Sequence, residues 1–222
     1  MTLEELIAQY RIDAHDTAQP YFASDLSVTE WLNEAQDEAV IRGRLIHESA
    51  NEAVCRIAME AGRSVYPLHE ALYELDHVAF LAEGATERTP VYLTSPENLD
   101  RILYGWRDRG GIPKFAVQDD GSIRLVPAPN QAGTLILEGF RLPLADMVAP
   151  TDSPEINGAH HRHLVNWALY RGFSIPDQEM IDPNRAVLAE RNFTEYFGTR
   201  PDCDLRRITR EDTPHHNEAF FV

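Results

Sequence analysis

The chain has 222 residues, 43% of them hydrophobic and 25% charged, with 36 acidic side chains against 20 basic and a formal net charge of −16. That length supports one good core, or one core with a smaller appended lobe. The acidic balance argues against a protein that grips nucleic acid, because phosphate contacts need a basic surface, and no apolar run approaches the roughly 20 residues that span a bilayer.

The opening MTLEELIAQY carries acid where a signal peptide would carry base, so no secretion signal is expected. Thr2 and Glu5 have the spacing of a capping box. Leu3, Leu6, Ile7, Tyr10 and Ala14 then form the stripe of an amphipathic helix to about residue 16. Pro20, Ser24 and Asp25 mark a turn. Ser27 and Glu30 form a second capping box, and Leu32, Ala35, Ala39, Gly43, Ile46, Ala50, Ala53 and Ile57 recur at helical spacing. The pattern predicts one long helix to Gly62, with a break near Gly43 as the alternative. Cys55 falls within it beside Val54 and reads as a buried thiol, which fits synthesis in a reducing cytoplasm; the second cysteine is Cys203.

Past Gly62 the period changes. Residues 65–68, 72–81 and 90–93 read as strands, and Ser95 followed by Pro96 starts a short helix through Leu103. Residues 114–117 and 122–126 flank Asp119-Asp120-Gly121, a hairpin signal, and residues 133–142 form a further strand. A linker rich in Pro, Asp and Ala follows over 143–154. The segment from Pro154 to Phe173 is then read as the central helix. Leu164, Val165, Ala168, Leu169, Gly172 and Phe173 share one face, and Trp167 and Tyr170 lie on the other as candidate subunit-packing residues. Asp182-Pro183 opens a last helix, with Ala186, Leu188, Ala189, Phe193 and Phe197 as its apolar set.

These elements give an α+β fold class: an antiparallel helical bundle from residues 1–62 and 151–198, an inserted small antiparallel β-sheet in 63–150, and an extended C-terminal tail over 199–222. The tail is mostly polar, carries Arg206, Arg207 and Arg210, and ends in Phe220-Phe221-Val222. An apolar tip after a polar spacer is expected to dock on a partner, and the stretch has too few apolar residues to fold alone.

Candidate chemistry is sparse. His160 and His163 share a helix face at i and i+3 and would offer two ligands to zinc, with His215 and His216 as further donors. This is the basis of an alternative reading as a small metal-dependent hydrolase. Yet no HExxH, CxxC, GxSxG, Walker or GxGxxG pattern is present. Asp119-Asp120 is explained by its turn, and the three tryptophans read as core or interface anchors. No cofactor and no catalytic site is assigned.

The layout resembles bacteriophage head–tail adaptor proteins, the connector or neck proteins beneath the portal. The resemblance rests on YPL…ELDHVAFL within residues 65–81, on GxP…F…DDGSIRLVPAP…GTLILEGFRLP within 111–143, and on PEI…HLVNWALYRGF within 154–173 followed by the helix of 182–197. It implies a non-enzymatic virion protein, made in the host cytoplasm, that assembles as a ring of twelve copies. Its implied partners are the portal and tail or nozzle proteins. DNA would pass through its channel without sequence-specific binding, and no membrane would be involved. In some members the C-terminal segment inserts against the portal, which makes Phe220, Phe221 and Val222 the implied docking tip, with Arg206, Arg207 and Arg210 on the path to it. Another tail-tube or head-completion protein is the neighbouring alternative.

Overall fold

The computed structural model describes residues 1–176 and 181–201. In chain order these hold α1 (Leu3–Ala14), α2 (Asp25–Gly43), β1 (His47–Glu48), α3 (Glu52–Cys55), β2 (Arg56–Met59), β3 (Val65–Pro67), β4 (Leu72–Ala82), β5 (Thr89–Pro90) and β6 (Tyr92–Leu93). There follow α4 (Pro96–Ile102), β7 (Gly110–Gly111), β8 (Phe115–Gln118), β9 (Ser122–Val126), β10 (Ala128–Pro129), β11 (Gly133–Arg141), α5 (His161–Ser174) and α6 (Pro183–Phe197). The fold is mixed α+β, with six helices and several small sheets among the described residues. Two compact units emerge: Met1–Ile46 with Arg141–Pro201, and His47–Phe140.

In the first unit, α1 begins as its capping box dictates: the Thr2 hydroxyl accepts from the Glu5 N–H at 3.3 Å and the Glu5 carboxylate from the Thr2 N–H at 3.0 Å. It ends where His15 turns left-handed, at φ 61°. Leu3, Leu6, Tyr10 and Ala14 are buried as the stripe required. Helix α2 starts earlier than its sequence suggests, because Ser24 rather than Ser27 caps it, its hydroxyl accepting from the Ser27 N–H at 3.1 Å. The α5 face of Leu164, Val165, Ala168, Leu169, Gly172 and Phe173 is buried, against α1, α2 and α6. The helix itself begins at His161 rather than Pro154. Glu155 is held instead by Arg141, and its N–H donates to the Gln36 side chain at 2.6 Å.

The structure corrects the long helix to Gly62 and bears out the alternative, a break near Gly43. Arg44 adopts a left-handed conformation, φ 50°, and closes α2 at Gly43. The Glu48 carboxylate then collects the N–H groups of Ser49, Ala50 and Asn51 at 3.0–3.1 Å, giving the backbone a turn in place of helical bonds. Ala50 and Ala53, expected in a helix seam, are exposed, and residues 56–59 continue as a strand. The strand-rich unit therefore begins at His47.

The linker after β11 is pinned rather than loose. Asn33 exchanges two hydrogen bonds with the Met147 backbone at 3.0 Å, and the Asp152 carboxylate accepts from the N–H groups of Val148 and Ala149. Those two bonds hold the Asp152 carboxyl below its ordinary pKa.

Asp37 on α2 behaves in the opposite way. Burial, reinforced by Asp146, Glu38 and Glu34, pushes its carboxyl from 3.8 up to about 6. A raised acid pKa means the folded state binds the proton more tightly than the unfolded chain. Its contribution to stability is complete below the unfolded pKa and is lost as pH rises through about 6. Asp37→Asn is expected to gain about 1–2 kcal/mol at pH 7, after allowing for partial solvent screening, and to flatten the stability profile between about pH 4 and 6. Urea unfolding across that range checks it, and a less stable variant at pH 7 would mean that the carboxylate has a favourable partner.

In the second unit the β8–β9 hairpin turns at Asp119-Asp120-Gly121, with Val117 opposite Arg124 and Gln118 opposite Ile123. The single antiparallel sheet expected from sequence is instead three sheets. One has the order β1-β11-β4-β5 with β2 also on β11, a second has β3-β9-β8-β6, and a third pairs β10 with β7. The β6–β8 and β10–β7 pairs are parallel. Parallel neighbours need a long crossover, which α4 and the loop after it supply between β6 and β8. Tyr66, Leu72, Phe80, Ile123, Leu135 and Leu137 fill the core. Buried Gln118 acts as a rung of the sheet, accepting from the Leu75 N–H and donating to the Tyr73 carbonyl, both at 3.1 Å. At Gly133 and Gly139 of β11 a Cβ would run into the backbone carbonyls of Leu81 and Glu74, so β4 passes too close for any other residue.

Candidate interaction surfaces

The α5–α6 contact gathers most of the residues that sequence singled out. Trp167 is buried, its ring 5.0 Å from Phe193 and 5.1 Å from the Arg42 guanidinium. Tyr170 is half-buried beside it, with ring centroids 5.2 Å apart. Trp167 thus packs within its own chain and meets Tyr170 edge to face.

The histidines are absorbed the same way. His163 stacks on Tyr196 at 3.5 Å with ring planes 10° apart, and burial, followed by Arg162 and His160, lowers its pKa, favouring the neutral ring. His160 meets the Tyr196 hydroxyl at 3.2 Å. Buried His161 lies between the Ile156 carbonyl, 2.9 Å away, and the backbone of Met1. Among the described residues no three His, Cys, Asp or Glu side chains converge to hold a metal. His215 and His216 lie outside the described residues, as do Cys203, Arg206, Arg207, Arg210, Phe220, Phe221 and Val222.

Two surfaces escaped sequence reasoning. The first is a groove of about 580 Å³ between α1, the start of α2 and the pinned linker. Its walls are Ile7, Leu26, Met147, Val148 and Pro150, and Leu26 and Val148 stand 70% and 80% exposed. Glu4, Glu30 and Asp146 rim it without an ion-pair partner among the described residues, and no basic side chain lines it. Leu26 points outward in the first turn of α2, where helical periodicity alone gives no warning.

The second is the loop after α4. Tyr104 is 92% exposed and Ile102 51%. Residues 101–114 carry four basic side chains, Arg101, Arg107, Arg109 and Lys114, against the single acid Asp108. The loop's base is anchored: Trp106 is buried with Leu99, Val117 and Val126. The Trp106 Nε1–H donates to the Asp100 carboxylate at 2.8 Å, which also pairs with Arg107 at 2.5 Å. Those bonds, led by the one from Arg107, lower the Asp100 pKa. Arg101 and Arg109 have no carboxylate partner among the described residues. The local excess of base in so acidic a chain was the available signal.

Among the described residues no helix is long and apolar enough to cross a membrane. No curated protein matches the chain. The family model of the SU10 adaptor protein matches residues 1–216, nearly the whole length, and spans both units. The chain therefore belongs to the SU10 adaptor protein family, phage head–tail adaptors that are structural parts of the virion and not enzymes.

Proposed function

We propose that this protein assembles as a ring of twelve copies beneath the portal and extends the DNA channel toward the tail, contacting the portal on one side and tail or nozzle proteins on the other. Family membership over residues 1–216 carries this reading. The net charge of −16 supports it, since acidic groups along a channel keep the duplex from sticking by like-charge repulsion. DNA then passes without sequence-specific contacts. The protein is made in the host cytoplasm and ends in the virion neck. Membership in a structural family sets aside the metal-dependent hydrolase built on His160 and His163.

The portal contact is assigned to the C-terminal segment, with Phe220, Phe221 and Val222 as the apolar tip and Arg206, Arg207 and Arg210 on its approach. Tyr170 is assigned to subunit packing, with Trp167 bracing it. Co-sedimentation with portal rings of the same phage tests the tail, using the full chain and a version ending at Asn217. Binding lost on truncation is the expected result. Binding by both would keep the adaptor and remove the tip as its anchor, and binding by neither would overturn the portal contact.

A further inference from the structure

The groove on the helical unit and the loop after α4 are opposite in charge, and each exposes apolar surface. The groove is apolar, open and rimmed by Glu4, Glu30 and Asp146. Asp146 on that rim also adds, after burial, to the raised pKa of Asp37. Leu26 and Val148 leave large apolar area in water at its mouth, a cost that association removes. The loop presents the opposite: an aromatic side chain almost fully in solvent, flanked by Arg101, Arg107 and Arg109, on a base that Trp106 and Asp100 hold in place. A pre-ordered anchor loses little conformational entropy on docking. Tyrosine is well suited to such a seat, with its ring in the apolar part and its hydroxyl at the wet rim.

We propose that the loop after α4 of one copy docks on a second copy of this chain, seating Tyr104 in the groove between Leu26 and Val148 while Arg101 and Arg109, the loop arginines not paired with Asp100, lie over the rim of Glu4, Glu30 and Asp146. Two different patches meet, so the contact is heterologous and propagates from copy to copy until the rotation closes a ring. The inference rests on the ring reading above and deepens it by naming the two faces of the subunit interface. The arginines sit at the rim, where they steer encounter and fix register more than they add affinity.

The test is a cross-link between two singly substituted full-length proteins in a Cys203→Ser background, one carrying Ile102→Cys beside the Tyr104 anchor and the other Thr29→Cys in the groove lining, so that the anchor and its seat stay intact. Cys55 is buried and is left in place. They are mixed, alone and on portal rings, and treated with a short bis-maleimide. Covalent heterodimers that form only in the mixture are expected. Reversing two loop charges, Arg101→Glu with Arg109→Glu, is expected to weaken assembly on the order of tenfold and to reverse its salt dependence, added salt now promoting assembly by screening the new like-charge repulsion. Adding Glu30→Lys and Asp146→Lys is expected to restore it. Assembly that proceeds without the cross-link overturns the docking proposal while leaving the ring intact. A groove cysteine that captures Phe221→Cys instead also overturns it, by showing that the tail fills the groove. Absence of any assembly, in solution or on portal rings, overturns the ring reading itself.

Discussion

Replacing Arg11 by alanine is expected to destabilise the helical unit by about 3–5 kcal/mol. Arg11 and Asp16 form an ion pair with only 7% and 1% of their side chains exposed. Asp16 also accepts from the N–H groups of Phe22 and Ala23, at 3.1 and 3.4 Å, and so shapes the turn that delivers Ser24 to cap α2. The other guanidinium nitrogen of Arg11 reaches Asp25, the first residue of α2, at 2.7 Å, and the group lies 4.1 Å from the Tyr21 ring centroid. One side chain thus ties the end of α1 to the start of α2. The Asp25 side chain is 66% exposed, so that end contributes little. The loss comes from leaving the Asp16 carboxylate buried without its cation. Arg11→Met with Asp16→Asn is therefore expected to recover part of it, because the single carboxamide oxygen of asparagine still accepts from the nearer Phe22 N–H and no charge remains to be buried, while the longer bond from Ala23 is lost. Urea unfolding read by tryptophan fluorescence measures both, with Trp31 as a reporter in the same unit. A loss under about 1 kcal/mol for Arg11→Ala would mean that water reaches Asp16 in the variant.

What the sequence revealed follows from how local each determinant is. The Thr2–Glu5 capping box, the Asp119-Asp120-Gly121 turn and the buried face of α5 depend on residues within a turn or two of each other, and all are found as read. The end of α2 depends on Arg44 taking a left-handed conformation and on one carboxylate, Glu48, that competes with the helix for backbone donors. Ala50 and Ala53 kept the helical spacing by coincidence. The parallel β6–β8 and β10–β7 pairs are non-local and left no periodic trace. Leu188, placed in the apolar set of α6, is 56% exposed, because the α6 interface needs only Ala186, Ala189, Phe193 and Phe197. Among candidate sites, His160 and His163 looked like ligands because spacing shows which residues share a face and not what fills the space opposite, which is Tyr196. The groove and the Tyr104 loop were invisible for the converse reason: an apolar residue in a sequence is presumed buried, and it is the fold that leaves Leu26, Val148 and Tyr104 in water.

The second large effect is expected at Gly172, where α5 crosses α1. A Cβ there would meet the Tyr10 hydroxyl directly and Trp31 Cζ3 at 3.3 Å. Tyr10 is fully buried and its hydroxyl has no hydrogen-bond partner among the described residues. Burial, against the opposing field of Arg11, pushes the phenol well above its ordinary pKa. Gly172→Ala gains helix propensity of roughly 1 kcal/mol, yet it must displace a ring packed on every side, so a net loss of about 1–3 kcal/mol is expected. Tyr10→Phe removes an unpartnered buried hydroxyl and is expected to be neutral or to stabilise by about 1 kcal/mol. Because the clash is with that oxygen, the two substitutions are expected to couple: in the Tyr10→Phe background Gly172→Ala should cost at least about 1 kcal/mol less than in the parent. Thermal or urea unfolding of the four proteins gives the coupling energy. Additive losses would place the strain at Trp31 instead, and a strongly destabilised Tyr10→Phe would show that the hydroxyl makes a favourable contact in the folded state. The cycle therefore separates a glycine kept for close helix approach from one kept for space around a phenol.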